Sequence, residues 1–227
     1  MARESLEAKR KRVKKIIAVL KRTHPDAKLA LNFSNPLELL VALILAAQAR
    51  DTLVNEVTPA LFAKYRKATD FAKEKEVVLQ KKVTCISFLR QKTRSIQTAC
   101  AMLAKDFEGK VPANIDDLLK LPGVGRKTAN AILANAFGQP AIVVDTHTWR
   151  LSQRLGLTTE DDPDKIESDL VGIVPRKEWT KFCHLLQFHG RRVCIARKPK
   201  CPTCSINKLC PWPDKTTTNE TTKNRSR

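Results

Sequence analysis

Four cysteines stand close together near the end of the sequence: Cys194, Cys201, Cys204 and Cys210, a C-x6-C-x2-C-x5-C array. Short loops close at little entropic cost, so four thiolates within seventeen residues can converge on one centre. Whatever else the chain does, its C-terminal region must wrap that centre. A tetrahedral zinc ion and a cubane iron–sulfur cluster both accept four thiolates, and ligand identity alone does not separate them. Zinc sites more often pair two C-x2-C knuckles, and only Cys201 and Cys204 form one here; the long first spacing suits the larger four-iron group better. A secreted disulfide framework is a poor fit to a basic chain of 227 residues with no signal peptide. The other three cysteines, Cys85, Cys100 and Cys183, lie in apolar-periodic stretches and are expected to be buried thiols.

Charge narrows the partner. Lys and Arg total 42 against 23 acidic residues, a net charge of +19, which calls for a polyanion. The longest apolar run, Leu39 to Ala47, is too short to span a membrane, which takes ~20 residues. The basic N-terminal stretch (Arg3, Lys9, Arg10, Lys11, Arg12, Lys14, Lys15) precedes only a brief apolar run, so it reads as a basic arm leading into a first helix. These features predict an intracellular nucleic-acid-binding protein, cytoplasmic and associated with the nucleoid. Arg191, Arg197, Lys198 and Lys200, with Arg192 and Lys208, surround the cysteines and predict that the metal centre presents a basic loop to phosphates.

The periodicity is helical throughout, so the fold class is all-α. Asn35-Pro36-Leu37-Glu38 supplies an N-cap, a proline at the first helical position and a carboxylate at the third. The following helix, to about Ala47, is apolar on all sides and should run through the middle of a domain. Further helices are predicted from Asp51 as a cap to Tyr65, around Asp70 to Leu79, and from near Lys92 to Phe107. Others follow from Asn114 to Lys120, Arg126 to Phe137, and Asp145 to Arg154. The last two run from Asp162-Pro163 to before Pro175, and through Trp179 to Leu186 with Gly190 after the end. Ala141 to Val144 reads as a buried extended connection, and residues 213–227 as a basic disordered tail.

Leu121-Pro122-Gly123-Val124-Gly125-Arg126-Lys127 lies between two of these helices. Gly123 and Gly125 permit a tight turn, and the amides of Gly125, Arg126 and Lys127 open a helix where phosphate oxygens bind. The hairpin grips backbone and reads no base sequence. Lys127 has two readings: a phosphate contact, or a nucleophile. The positive end of a helix disfavours a protonated amine, and a neutral amine can form a Schiff base with a sugar carbon. Asp145, after the apolar Ile142 to Val144, is an N-cap whose carboxylate is also placed to steady positive charge on a sugar.

With the hairpin, the Val144-Asp145-Thr146-His147 segment and the cysteine spacing taken together, the chain resembles the endonuclease III family from about Asn32 to Cys210. These are helix-hairpin-helix DNA glycosylases and AP lyases with a [4Fe-4S] cluster. The resemblance implies two helical domains flanking a DNA-binding cleft. One is a six-helix barrel with the hairpin, residues 29–139; the other is a discontinuous cluster domain, residues 1–28 and 140–212. It implies that Lys127 is the nucleophile, Asp145 the essential carboxylate, and Cys194, Cys201, Cys204 and Cys210 the cluster ligands. It further implies that a monomer acts on duplex DNA containing oxidised pyrimidines or abasic sites. Gln48 matches the residue inserted opposite the flipped nucleotide, and Leu121, Gly123, Val124, Gly125, Arg126 and His147 fall on DNA-contacting positions. The chain departs from the pattern at Ser87-Phe88-Leu89-Arg90, where Phe88 is left to fill the stack, and at Arg50, where a small residue is commoner. A thymine or uracil mismatch glycosylase is the rival within the superfamily, and a non-catalytic DNA-binding scaffold the rival outside it. The adenine glycosylases of the superfamily fit less well, because Leu43 stands where their catalytic glutamate is expected.

Overall fold

The computed structural model describes residues 4–217, and among these it contains helices, turns and connections but no strand. The chain divides into two compact units, Leu29–Gln139 and a second built from the segments 1–28 and 140–227.

The first unit forms around α2 (Pro36–Ala46). Asn35 caps it, its Oδ1 accepting the Glu38 amide at 3.0 Å, while the Glu38 carboxylate accepts the Ser34 amide at 2.6 Å. Leu39, Leu40, Val41, Ala42 and Leu45 are all fully buried and Leu43 is half-buried, so α2 is enclosed over most of its circumference, close to what its sequence predicts. Packed with it are α3 (Asp51–Lys64), α4 (Ala68–Lys73), α5 (Glu76–Lys82), α6 (Leu89–Asp106), α7 (Ile115–Lys120) and α8 (Arg126–Ala136). Two of these differ from the prediction. The single helix expected around Asp70 to Leu79 is the pair α4 and α5, broken at Glu74. There the Glu74 carbonyl accepts from the Gln97 side chain at 2.6 Å, and the carboxylate accepts from Lys64 and the Tyr65 hydroxyl. Those bonds draw the residue out of helical geometry and hold its carboxyl down at about 2. Asp51 lies inside the first turn of α3, with Arg50 rather than Asp51 at the cap.

The second unit contains α1 (Leu6–Thr23), α9 (Thr146–Arg154), α10 (Pro163–Ile173) and α11 (Trp179–Arg192). Val13, Ile16, Ile17 and Leu20 of α1 join Leu151, Ile166, Leu170, Phe182 and Leu186 in one apolar core. Most of the basic residues expected in a leading arm belong to α1 itself, and several are structural. Lys9 donates to the Leu157 carbonyl, Arg10 to that of Gly172, and Arg12 to those of Leu155 and Leu209. Helix α11 runs through Gly190 rather than stopping at it. Ala141 and Ile142 are buried, in a connection without strand pairing. Of the expected disordered tail, residues 213–217 are ordered: Lys215 donates to Asn207, and the Thr216 hydroxyl accepts from the Cys201 amide at 3.3 Å. The rest of that prediction lies outside the described residues. Among the described residues no helix is long and apolar enough to cross a membrane.

The sealed position of α2 predicts that Leu40→Ala lowers stability by about 2–5 kcal/mol and Asn35→Ala by about 1 kcal/mol, both read by urea denaturation.

Candidate functional site

In the first unit, the Leu121–Gly125 hairpin joins α7 to α8. Leu121 and Val124 turn into the core and anchor it, so their side chains are not a contact surface. The Val124 amide closes the turn on the Leu121 carbonyl at 3.0 Å. Gly123 has φ +84°, and a Cβ there would lie 2.9 Å from Cβ of Ser95; a side chain is excluded by backbone angle and by space. Gly125 is the N-cap of α8 and has no side chain to occupy the first-turn amides. Arg126 and Lys127 follow as exposed residues in that first turn, while Ala129, Asn130 and Ile132 behind them are buried and hold the turn in place.

Gln48 and Phe88 occupy two tips of the same unit. Both are exposed and both are left-handed, with φ +54° and +56°. They are neighbours, because the Ser87 hydroxyl donates to the Gln48 carbonyl at 3.0 Å. A second tie lies beneath: Lys92, only 6% exposed, donates its Nζ to the Leu45 carbonyl at 2.9 Å, satisfying the free end of α2. Burial pushes the Lys92 amine down from its ordinary value. Phe88 remains 62% exposed, an aromatic ring held out at the start of α6. Arg50 is exposed two residues beyond Gln48. Cys85, expected to be buried, is exposed on this turn, because the α5–α6 connection leaves helical geometry there; Cys100 and Cys183 are buried. Sequence reading missed Lys92 and Ser87. Lys92 had a signal, since it lies on the Ile96, Ala99, Cys100, Leu103 stripe; Ser87 had none.

In the second unit Asp145 is the N-cap of α9. Its Oδ1 accepts the amides of His147 at 3.0 Å and Thr148 at 2.7 Å, and its Oδ2 accepts from the Gln187 side chain at 3.1 Å. Three donors from two helices fix the plane of the carboxylate. Gln187 was not foreseen, being 42 residues away with no local pattern to mark it. His147 is half-buried, with its Nδ1 beside Arg150 and so near Gly190 that a Cβ there would approach to 2.7 Å. Nearby His184 is pushed down to about 4, chiefly by burial.

Cys194, Cys201, Cys204 and Cys210 all line one pocket, together with Leu151, Leu155 and Ile206. Four thiols lining one pocket form a donor set that both zinc and an iron–sulfur cluster accept. Arg154 donates to Cys194 Sγ at 3.3 Å and to the Ile195 and Ala196 carbonyls, and its guanidinium lies 4.2 Å from the centroid of Trp212. Burial raises the Cys204 and Cys210 thiols. Around the pocket, Arg191, Arg192, Arg197, Lys198 and Lys200 are exposed, and Arg192 makes a fork with Asp26 at 2.9 and 2.6 Å.

Residues 41–176 match the model of the HhH-GPD superfamily base excision DNA repair protein family. The chain belongs to that family. It is 45% identical over 207 residues to endonuclease III of Synechocystis sp., covering 91% of this chain and 94% of the relative. It is 37% identical to endonuclease III of Escherichia coli K12, covering 88% and 95%. Among solved structures it is similar to a trapped endonuclease III–DNA covalent intermediate. There the TM-score is 0.85 at 42% identity, covering 89% of this chain and 95% of that one. A thermostable thymine-DNA glycosylase, 24% identical with a TM-score of 0.79 over 89% and 96%, shares the fold. In HhH-GPD terms, the family match takes in Gln48, the hairpin, Lys127 and Asp145, and ends before the cysteines.

The two hairpin glycines should respond differently to a methyl group. Gly123→Ala is expected to cost about 1–3 kcal/mol from backbone strain and overlap, measured by thermal denaturation. Gly125→Ala, at φ −95° with nothing within 4 Å, should stay within about 0.5 kcal/mol of the parent.

Proposed function

We propose that this chain is a bifunctional DNA glycosylase and AP lyase of base excision repair that removes oxidised pyrimidines such as thymine glycol from duplex DNA. The observation that carries the reading is Lys127, an exposed amine in the first turn of α8, directly behind the glycine hairpin. It is supported by kinship with endonuclease III, one of whose structures is a trapped covalent intermediate with DNA.

The chemistry follows from the residues. The hairpin amides with Arg126 hold the backbone, joined by His147 and by Arg191, Arg197, Lys198 and Lys200. Gln48 and Phe88, stiffened at left-handed tips, occupy the stack when the damaged nucleotide is flipped out, and Arg50 lies beside them. Lys127 loses a proton from its Nζ as it attacks C1′ and the bond to the base breaks, the base leaving with its electron pair and taking up a proton. The sugar ring opens to a Schiff base on Nζ. Loss of a C2′ proton then expels the 3′ phosphate by β-elimination, and water releases the lysine. Asp145, oriented by its three donors, supplies negative charge where C1′ becomes positive.

The chain acts as a monomer, in the cytoplasm at the nucleoid. Cys194, Cys201, Cys204 and Cys210 hold a [4Fe-4S] cluster, which when bound supplies the rigid centre on which the basic loop is built. Arg154, Arg12 and Lys215 order that loop through its carbonyls.

Borohydride should trap wild-type protein on abasic duplex, and Lys127→Ala should lose the adduct entirely; full persistence of the adduct would sink the lyase mechanism. Asp145→Asn should bind abasic duplex within a few-fold of the parent yet excise roughly 10²-fold more slowly. Processing of G·T and G·U mismatches but not thymine glycol would transfer the protein to the mismatch class. Lys198→Ala should weaken binding uniformly across sequences and reduce the salt slope by about 1.

A further inference from the structure

Two buried histidines run in line to a cysteine of the metal pocket. His24, just past the end of α1, has its Nε2 3.1 Å from Nδ1 of His189 on α11. The other nitrogen of His189, Nε2, lies 3.4 Å from Cys204 Sγ. The rings are 2% and 1% exposed and meet edge to face at 5.3 Å. Two buried rings in direct contact disfavour a charge on either, so each contact in the line pairs one donor with one acceptor.

A neutral imidazole has one donor and one acceptor nitrogen. The line therefore has two proton arrangements. In one, His24 Nε2–H donates to His189 Nδ1 and His189 Nε2–H donates to Cys204. In the other, every direction is reversed. A thiolate bound to metal only accepts, which selects the first arrangement. The far end of the line agrees. His24 Nδ1 has no hydrogen-bond partner among the described residues. The first arrangement leaves it a bare lone pair, whereas the second strands an N–H there, the more costly atom to orphan. The second also aims a lone pair at a sulfur anion.

We infer that His24 holds His189 as its Nε2–H tautomer, so that His189 donates a hydrogen bond to the cluster ligand Cys204 and makes the bound cluster easier to reduce. His24 and His189 are positioning residues. The inference rests on the cluster reading above. Added negative charge on reduction spreads to the ligand sulfurs, and a fixed N–H beside one of them stabilises the reduced state more than the oxidised one.

The test uses the full chain purified with its cluster, with iron and acid-labile sulfide measured first. NMR of 15N-histidine-labelled wild-type protein should show His189 protonated on Nε2 and not on Nδ1. In voltammetry His189→Leu should move the midpoint potential negative by about 59 mV, a tenfold change in the reduced-to-oxidised ratio for one electron. His189→Gln, which keeps an N–H at similar reach, should change that ratio by less than about twofold. His24→Leu, which touches no ligand, should move the potential in the same direction as His189→Leu. If His189→Leu fails to load, the wild-type tautomer and His24→Leu decide. Iron-loaded protein with His189 protonated on Nδ1, or with an unmoved potential in His24→Leu, overturns this inference alone. Protein carrying zinc or no metal overturns the cluster reading and this inference with it.

Discussion

The first unit depends on one helix that is almost entirely enclosed. Because most of α2 is buried, α3, α6 and α8 are placed by packing on it, the remaining helices pack on those, and its C-terminal end must be satisfied inside the protein. At the N-terminus Asn35 does this locally. At the C-terminus the Leu45 carbonyl has no local partner, and Lys92 arrives from α6 to supply one. That bond brings the start of α6 beside the end of α2, and the Ser87–Gln48 bond extends the contact outward. The positions of Gln48 and Phe88 are thus consequences of capping a buried helix.

The second unit solves a different problem. The segment 193–210 has little regular structure beyond two short 3-10 turns, so its carbonyls lack ladder partners. Cations provide them. Arg150 bonds the Cys194 carbonyl, Arg154 those of Ile195 and Ala196, Arg12 that of Leu209 and Lys215 that of Asn207. The large positive charge is therefore divided between residues that hold the cysteine loop together and residues that remain exposed for a polyanion. Net charge alone does not distinguish the two kinds.

What could be read from sequence follows the range of the interactions. Helix starts marked by Asn35-Pro36, Asn114, Asp145 and Asp162-Pro163 are local chemistry, and each forms as expected. The break at Glu74 depends on Gln97 and Lys64, and the left-handed turn at Phe88 has neither glycine nor asparagine to mark it. Gly190 looked like a helix end but permits the close approach of His147. At the candidate site the capping role of Asp145 was legible. The Gln187 and Lys92 contacts were not, because each joins residues more than forty positions apart.

The core of the second unit joins α1 to residues as far along the chain as Ile206. On a ribosome, α1 emerges before the other described helices with Val13, Ile16, Ile17 and Leu20 unpartnered, and the contiguous first unit can complete itself while they wait. Arg12 reaches Leu209 only when almost all of this sequence has been made. Made before its partners, α1 is therefore among the last of these helices to find its place. In the meantime it presents an apolar stripe flanked by lysines, the kind of surface on which a chaperone would have the longest opportunity to act.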